Sequence, residues 1–165
     1  MGLGVWGNKG PTIVRWEESR QPVSENLRTG LVLPVLKSST GLAFAAHLPR
    51  SLVIDALEDE FSSEQLPDSA AEATLDQLDH TIAEIRATGF SRLLSSATFS
   101  DWYGGEINAI SAPVFARDGQ MVLALTVIGA ADKLDVSLDG KLASALGRTA
   151  RMLSTRLGHL EGNKP

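Results

Sequence analysis

Residues 106–129, EINAISAPVFARDGQMVLALTVIG, form two apolar runs about one short turn, and neither run offers a polar face to water. Along the first, Ile107, Ala109, Ser111, Pro113 and Phe115 alternate with Asn108, Ile110, Ala112 and Val114. Along the second, Met121, Leu123, Leu125 and Val127 oppose Val122, Ala124, Thr126 and Ile128. A hairpin with one wet face would alternate apolar with polar residues, so this one needs cover on both sides. Helices can supply one cover and a ligand-enclosing lid the other.

The remaining pattern predicts the elements around that hairpin. Residues 4–7 and 12–17, separated by Asn8, Lys9, Gly10 and Pro11, read as an N-terminal hairpin. After a turn at 20–22, residues 23–33 supply another strand, ending near Pro34. Ser38, Ser39 and Thr40 offer N-cap hydroxyls to a helix through GLAFAAHL, and Pro49 stops it. A second helix is expected over 52–61 and a loop over 62–71. Leu75, Leu78, Ile82 and Ile85 recur at helical spacing, and Gly89 closes that helix as a C-terminal cap. Residues 91–99 read as a strand leading to an irregular tip at 100–105. The double-faced hairpin turns at 117–119. A long amphipathic helix, marked by Leu138, Leu142, Leu146, Thr149, Leu153 and Leu157, ends near Gly158. Short connections imply antiparallel pairing, so the class is α/β in the α+β sense, with one central sheet.

A chain of 165 residues fits one domain. Its 43% hydrophobic and 21% charged residues are those of an ordinary soluble protein. No apolar run approaches the length of a membrane span and no signal peptide is visible, so a cytoplasmic location and no membrane partner are expected. With no cysteine, disulfides, thiolate nucleophiles and sulfur-ligated zinc are excluded together. The net charge of −5 does not suit a chain that neutralises phosphates unaided. His47, His80 and His159 have no partners at metal-ligand spacing, so neither metal nor cofactor is assigned. No G-x-S-x-G elbow or acid-base pair appears, and no catalytic residue is named.

Three segments carry a resemblance: GVWGNKGPTIVRWEE from Gly4, LPVLKSSTGLAFAAHLP from Leu33, and GEINAISAPVFARDGQMVLALTVIG from Gly105. Together they resemble the C-terminal effector-binding domain of IclR-type bacterial transcription regulators. The resemblance implies a GAF-like fold over residues 1–165: a six-stranded antiparallel sheet with helices on one face and a loop-enclosed pocket on the other. It also implies a small-molecule effector, homodimers or homotetramers, and DNA binding only through an N-terminal winged helix-turn-helix absent from this chain. The chain would then be an excised domain or a truncated homologue, and DNA binding is carried onto none of its residues.

The start of the helix after Pro34 is the candidate polar anchor. The N–H groups of Ser39, Thr40 and Gly41, with the hydroxyls of Ser38, Ser39 and Thr40, could hold a carboxylate at the positive end of the helix dipole. Gly41, lacking a side chain, would permit close approach. The plainer account of the same residues is helix capping with no ligand. The resemblance implies pocket-lining roles for Leu33, Ser39, Thr40, Ile107, Ala109, Thr126 and Ile128. In family members that bind very small keto acids, some of these positions carry hydroxyl or thiol groups, whereas Ala109 and Ile128 offer neither. The expected ligand is therefore a larger, part-apolar carboxylic acid, aromatic ones included, with Trp102 or Tyr103 closing the mouth. Trp6 and Trp16 are expected to pack in the core or a dimer contact. A competing reading is an assembly module with a vestigial pocket and no physiological ligand.

Overall fold

The computed structural model describes residues 1–18, 27–65, 67–95 and 103–160. The aromatic runs at the N-terminus form a hairpin of β1 (Gly2–Gly7) and β2 (Gly10–Trp16). The second hairpin, β4 (Ile107–Phe115) and β5 (Met121–Ala130), pairs with β1 through β5 and with the short strand β3 (Ser91–Leu93) through β4. Among the described residues the result is a five-stranded antiparallel sheet in the order β2-β1-β5-β4-β3.

Among the described residues the helices that accompany it are α1 (Ser39–His47), α2 (Arg50–Glu64), α3 (Asp68–Thr88) and α4 (Lys141–Arg156). All residues from Ser39 to Ala46 are buried, so α1 has no polar face. It lies on the sheet and is covered from behind by α2 and α3. Ala43 and Phe44 pack on Met121 and Ala124 of β5. On the opposite face, Ala143, Leu146 and Ala150 of α4 meet Ile110, Ala112, Val114 and Leu125. The two-faced burial expected of the central hairpin is therefore present, with protein rather than water on both sides.

The class and the antiparallel sheet agree with expectation, and the details differ in four places. Helices occupy both faces, because α4 claims the face that α1 leaves free. In place of a sixth strand, the described residues show an isolated Thr12–Val32 bridge, although Gly30 N–H donates to Ile13 O, Ile13 N–H to Leu31 O and Leu33 N–H to Pro11 O. Pro34 has no N–H with which to continue that pairing. The expected loop over 62–71 is mostly helix: α2 runs to Glu64, Gln65 ends it at φ 54°, and α3 starts at Asp68 after Pro67. Polar residues there belong to exposed helical turns. Finally, Val114 pairs with Leu123 but Phe115 pairs with Met121, leaving Val122 as a bulge. That extra residue moves Met121 off the face of Leu123 and Leu125 and onto the α1 face. The turn at 20–22, most of the first half of the 23–33 strand and the 96–99 end of the 91–99 strand lie outside the described residues.

The α3 terminus matches its signal. Gly89 adopts φ 78° and its N–H donates to Ile85 O at 2.8 Å, a conformation open to glycine because it lacks Cβ.

Phe44→Ala and Leu125→Ala, on opposite sides of the sheet, should each lower the unfolding free energy by about 3 kcal/mol. Val122→Ala, at the exposed bulge, should change it by less than about 0.5 kcal/mol. Urea denaturation of the three variants measures this difference.

Candidate functional site

Residues 34–38 form a tight turn that leads from the sheet edge into α1. Ser38, extended at φ −141° and ψ 140°, is the N-cap: its Oγ accepts from Gly41 N–H at 2.9 Å and donates to Pro34 O at 2.6 Å. One of the three N–H groups expected to face a ligand is thus spent on the cap. The close approach at Gly41 is also internal, since a Cβ there would stand 2.4 Å from Val35 O and 2.7 Å from Pro34 O. Gly41 makes room for the chain's own turn.

The next two residues of α1 turn toward the sheet. Ser39 Oγ bonds Ser111 Oγ at 2.8 Å, Ser111 Oγ bonds Thr126 Oγ1 at 2.6 Å, and Thr126 Oγ1 bonds Thr40 Oγ1 at 2.8 Å. Ser91 Oγ adds a bond to Ser39 O at 2.5 Å. Cross-strand register explains the meeting, because Ser111 and Thr126 are paired residues of β4 and β5. All four hydroxyls of this chain belong to residues no more than 3% exposed. Four hydroxyls carry four protons and three bonds use three, so the fourth O–H has no acceptor within the chain of hydroxyls itself. Gly4 closes the seam from β1, where a Cβ would stand 2.6 Å from Thr40 Cγ2.

Two cross-strand pairs along from Ser111 and Thr126, and so on the same face, are Ala109 and Ile128, which enter an apolar cluster. Its buried members are Ile13, Leu27, Leu33, Leu93, Tyr103, Ile107, Ala109 and Ile128. Trp16 and Leu31 pack against it. The structure therefore sets Leu33, Tyr103, Ile107, Ala109 and Ile128 in one apolar neighbourhood, adjoining Ser39, Thr40 and Thr126. Among the described residues, its cover includes the 27–33 segment and Tyr103. Tyr103 is itself anchored, with its O–H donating to Lys37 O at 3.0 Å, and burial pushes the phenol well above its ordinary pKa. Trp102 lies outside the described residues. Trp6 sits elsewhere, tilted against Phe44 with ring centroids 5.8 Å apart.

Sequence reasoning passed over Ser111 as a site residue. The signal was available, since a serine and a threonine stand on a sheet otherwise apolar front and back. It also passed over Glu60 of α2, whose carboxylate accepts from Val35 N–H at 2.5 Å and from Leu36 N–H at 3.4 Å. Burial is the first cause that raises the Glu60 pKa, partly opposed by those two N–H bonds. Nothing in helical periodicity marks that residue.

His47, in the last turn of α1, packs edge-to-face with Phe115, with ring centroids 5.1 Å apart. Its Nε2 is buried without a hydrogen-bond partner among the described residues. Burial, with the nearby Arg86 guanidinium, lowers its pKa to about 4. His159 is not a free tail, as its Nδ1 lies 3.2 Å from Ala116 O. Among the described residues no cluster of three His, Asp or Glu could hold a metal ion. None of the described helices is long and apolar enough to cross a membrane.

The sequence model of the bacterial transcriptional regulator IclR C-terminal family matches residues 2–155. The chain belongs to the IclR C-terminal family. Among solved IclR-like structures, Pseudomonas aeruginosa HmgR is 36% identical over 98% of this chain and 60% of its own, with a TM-score of 0.78. The Agobacterium tumefaciens repressor BlcR is 24% identical over 97% of this chain and 60% of its own, with a TM-score of 0.69. Thermotoga maritima IclR, at 16% identity, covers 96% of this chain and 61% of its own, with a TM-score of 0.69. The last two share the fold. The chain spans about 60% of the length of these solved regulators. No curated protein matches the sequence. Within an IclR effector-binding domain, the hydroxyl seam and the apolar cluster beside it form the candidate site.

Two outcomes follow from this geometry. Ser111→Ala removes a middle member of the hydroxyl chain, taking the partner of Ser39 Oγ and leaving Thr126 bonded to Thr40 alone, so chemical denaturation should show a loss of about 1–3 kcal/mol. His47 is neutral in the fold between its ordinary pKa and about 4, whereas the unfolded chain protonates it below about 6.5. Its contribution is thus present above pH 6.5 and lost as pH falls to about 4. After allowance for partial solvent screening the loss is about 2 kcal/mol, and it should vanish from the stability–pH curve of His47→Gln.

Proposed function

We propose that this effector-binding domain senses a small organic acid with an apolar body, aromatic acids included. Occupancy changes the association of subunits and, through it, DNA binding by a winged helix-turn-helix elsewhere in the regulator. The observation that carries this reading is the buried hydroxyl chain placed between the first turn of α1 and an apolar cluster that draws on the sheet, the 27–33 segment and Tyr103. A purely structural core would gain more from aliphatic side chains at Ser111 and Thr126, because buried hydroxyls only recover in one another the hydrogen bonds they lose to water.

The chemistry is split in two. The seam offers hydroxyls, together with the N–H groups of Ser39 and Thr40, which the Ser38 cap does not use. The cluster offers Leu33, Ile107, Ala109 and Ile128 to an apolar body. A carboxylate at the seam gains from the helix dipole as well. The domain has a sensing role and no catalytic one in this reading, since neither half presents a nucleophile with a base. Ligand binding works by differential affinity for two states of the domain and its assembly. Homodimers or homotetramers would carry that difference to DNA.

The competing reading, an assembly module without a ligand, draws on the close burial of the cluster, whose members are 9% exposed or less. The two readings separate by mass action. A screen of acetate, glyoxylate, pyruvate, benzoate and phenylacetate should stabilise the domain only with the larger acids, by about 2.7 kcal/mol at a hundredfold excess over Kd. Stabilisation by the two- and three-carbon acids alone would refute the part-apolar ligand. Melting that depends on protein concentration but on no acid would favour the assembly module. For an acid that binds, Thr126→Val should weaken affinity about fivefold.

A further inference from the structure

The 34–38 turn is gripped from two sides. On the side of the apolar cluster, Tyr103 is 1% exposed and its O–H donates to Lys37 O at 3.0 Å. On the other side, α2 supplies Glu60, whose carboxylate takes the N–H groups of Val35 and Leu36, and Glu64, which pairs with Lys37 Nζ. Ser38 sits between them and binds the turn to α1 through Pro34 O and Gly41 N–H. Backbone atoms of Pro34 and Val35 already press on Gly41 so closely that a methyl group would not fit. The turn therefore has no slack toward α1, and a push from the cluster must be taken up on the α2 side.

We propose that the 34–38 turn is a coupling element that transmits the state of the apolar cluster to α2, with Tyr103 and Glu60 as the positioning residues on its two sides. The coupling exists in the domain without a ligand; its purpose rests on the effector reading above. A guest beside Leu33 and Ile107 competes with the Tyr103 ring for volume. Displacing the ring breaks its bond to Lys37 O and leaves that carbonyl to find another partner by rotating the turn. Rotation withdraws the Val35 and Leu36 N–H groups from Glu60. A half-buried carboxylate stripped of its donors is unstable where it stands, so it must follow the turn or swing out to water. The first response moves α2 with the turn, and the second frees α2 from it. That helix forms part of the outer layer and exposes Leu52, Asp55, Glu58 and Asp59, so its movement changes a surface that a neighbouring subunit or domain could read.

Amide hydrogen exchange, followed residue by residue on the domain with no acid added, tests the coupling apart from the screen above. Tyr103→Phe keeps the ring and removes only the hydroxyl. It should raise exchange about fivefold both in the 34–38 turn and in α2 around residues 57–64, with α4 unchanged. Glu60→Gln should raise the same two regions, and the double variant should exceed the larger single effect by little, because both changes release one element. Three outcomes would overturn the proposal: a Tyr103→Phe effect confined to residues 37 and 38, full additivity in the double variant, or an equal rise in α4, which would mean general loosening. A domain that couples its turn yet binds none of the tested acids would retain this inference and lose the proposed ligand class.

Discussion

Everything in this domain is arranged around a hairpin that cannot face water on either side. Burying both faces of β4 and β5 gives a core in two layers, Phe44 and Ala124 on one side and Val114, Leu125 and Leu146 on the other. It also strands any polar side chain that the strands carry. Ser111 and Thr126 have water on neither side, so only other side chains or backbone can bond them. The answer is α1, a helix buried along nearly its whole length, whose first two residues are hydroxyl-bearing. Those bonds fix the position of α1 along the sheet at hydrogen-bond precision, which apolar contacts between Phe44 and Ala124 would not do alone. Gly4 and Gly41 follow from the same demand, each letting a neighbouring backbone approach closer than a side chain would permit.

Much of this was legible. The alternation within residues 107–128 identified two-faced burial, the 75–85 spacing identified α3, and Gly89 identified its end, because each depends on local geometry with a fixed period. The bulge at Val122 was not legible, since a strand with a bulge and a strand without one have the same composition. The 62–71 segment was misread for a related reason: serines, glutamates and a proline suit a loop, and they equally suit two exposed helix ends around a three-residue joint. The placement of α4 opposite α1 needed tertiary information, as amphipathicity says that a helix is covered and not which face of the sheet covers it.

The candidate site shows the same division. Ser38, Ser39 and Thr40 stood out because cap chemistry is local. Ile107, Ala109, Thr126 and Ile128 came from strand parity together with the family resemblance. Ser111 needed pairing register to be recognised as the link between them, and Glu60 needed the fold itself, standing 25 residues from its partner Val35. Hydrogen bonds between side chain and backbone at such separation leave no periodic trace. They nevertheless decide how a turn is held, and hence which motions the site can pass on.

Net charge hid a further arrangement. Ten of the twenty acidic residues fall within residues 50–88, the stretch of α2 and α3, where Arg50 and Arg86 are the only lysines or arginines. The α4 segment carries Lys141, Arg148, Arg151 and Arg156 with no acid. Since α2 and α3 lie outside α1 on one face and α4 lies on the other, the two sides of the domain carry opposite charge. A sum of −5 therefore describes neither surface. Oppositely charged faces favour orientations in which the acidic layer of one molecule approaches the basic helix of another or of an attached domain, with an effect that weakens as salt rises. Because Glu60 and Glu64 tie the acidic layer to the 34–38 turn, a change at the turn would be felt on the face where this charge is densest.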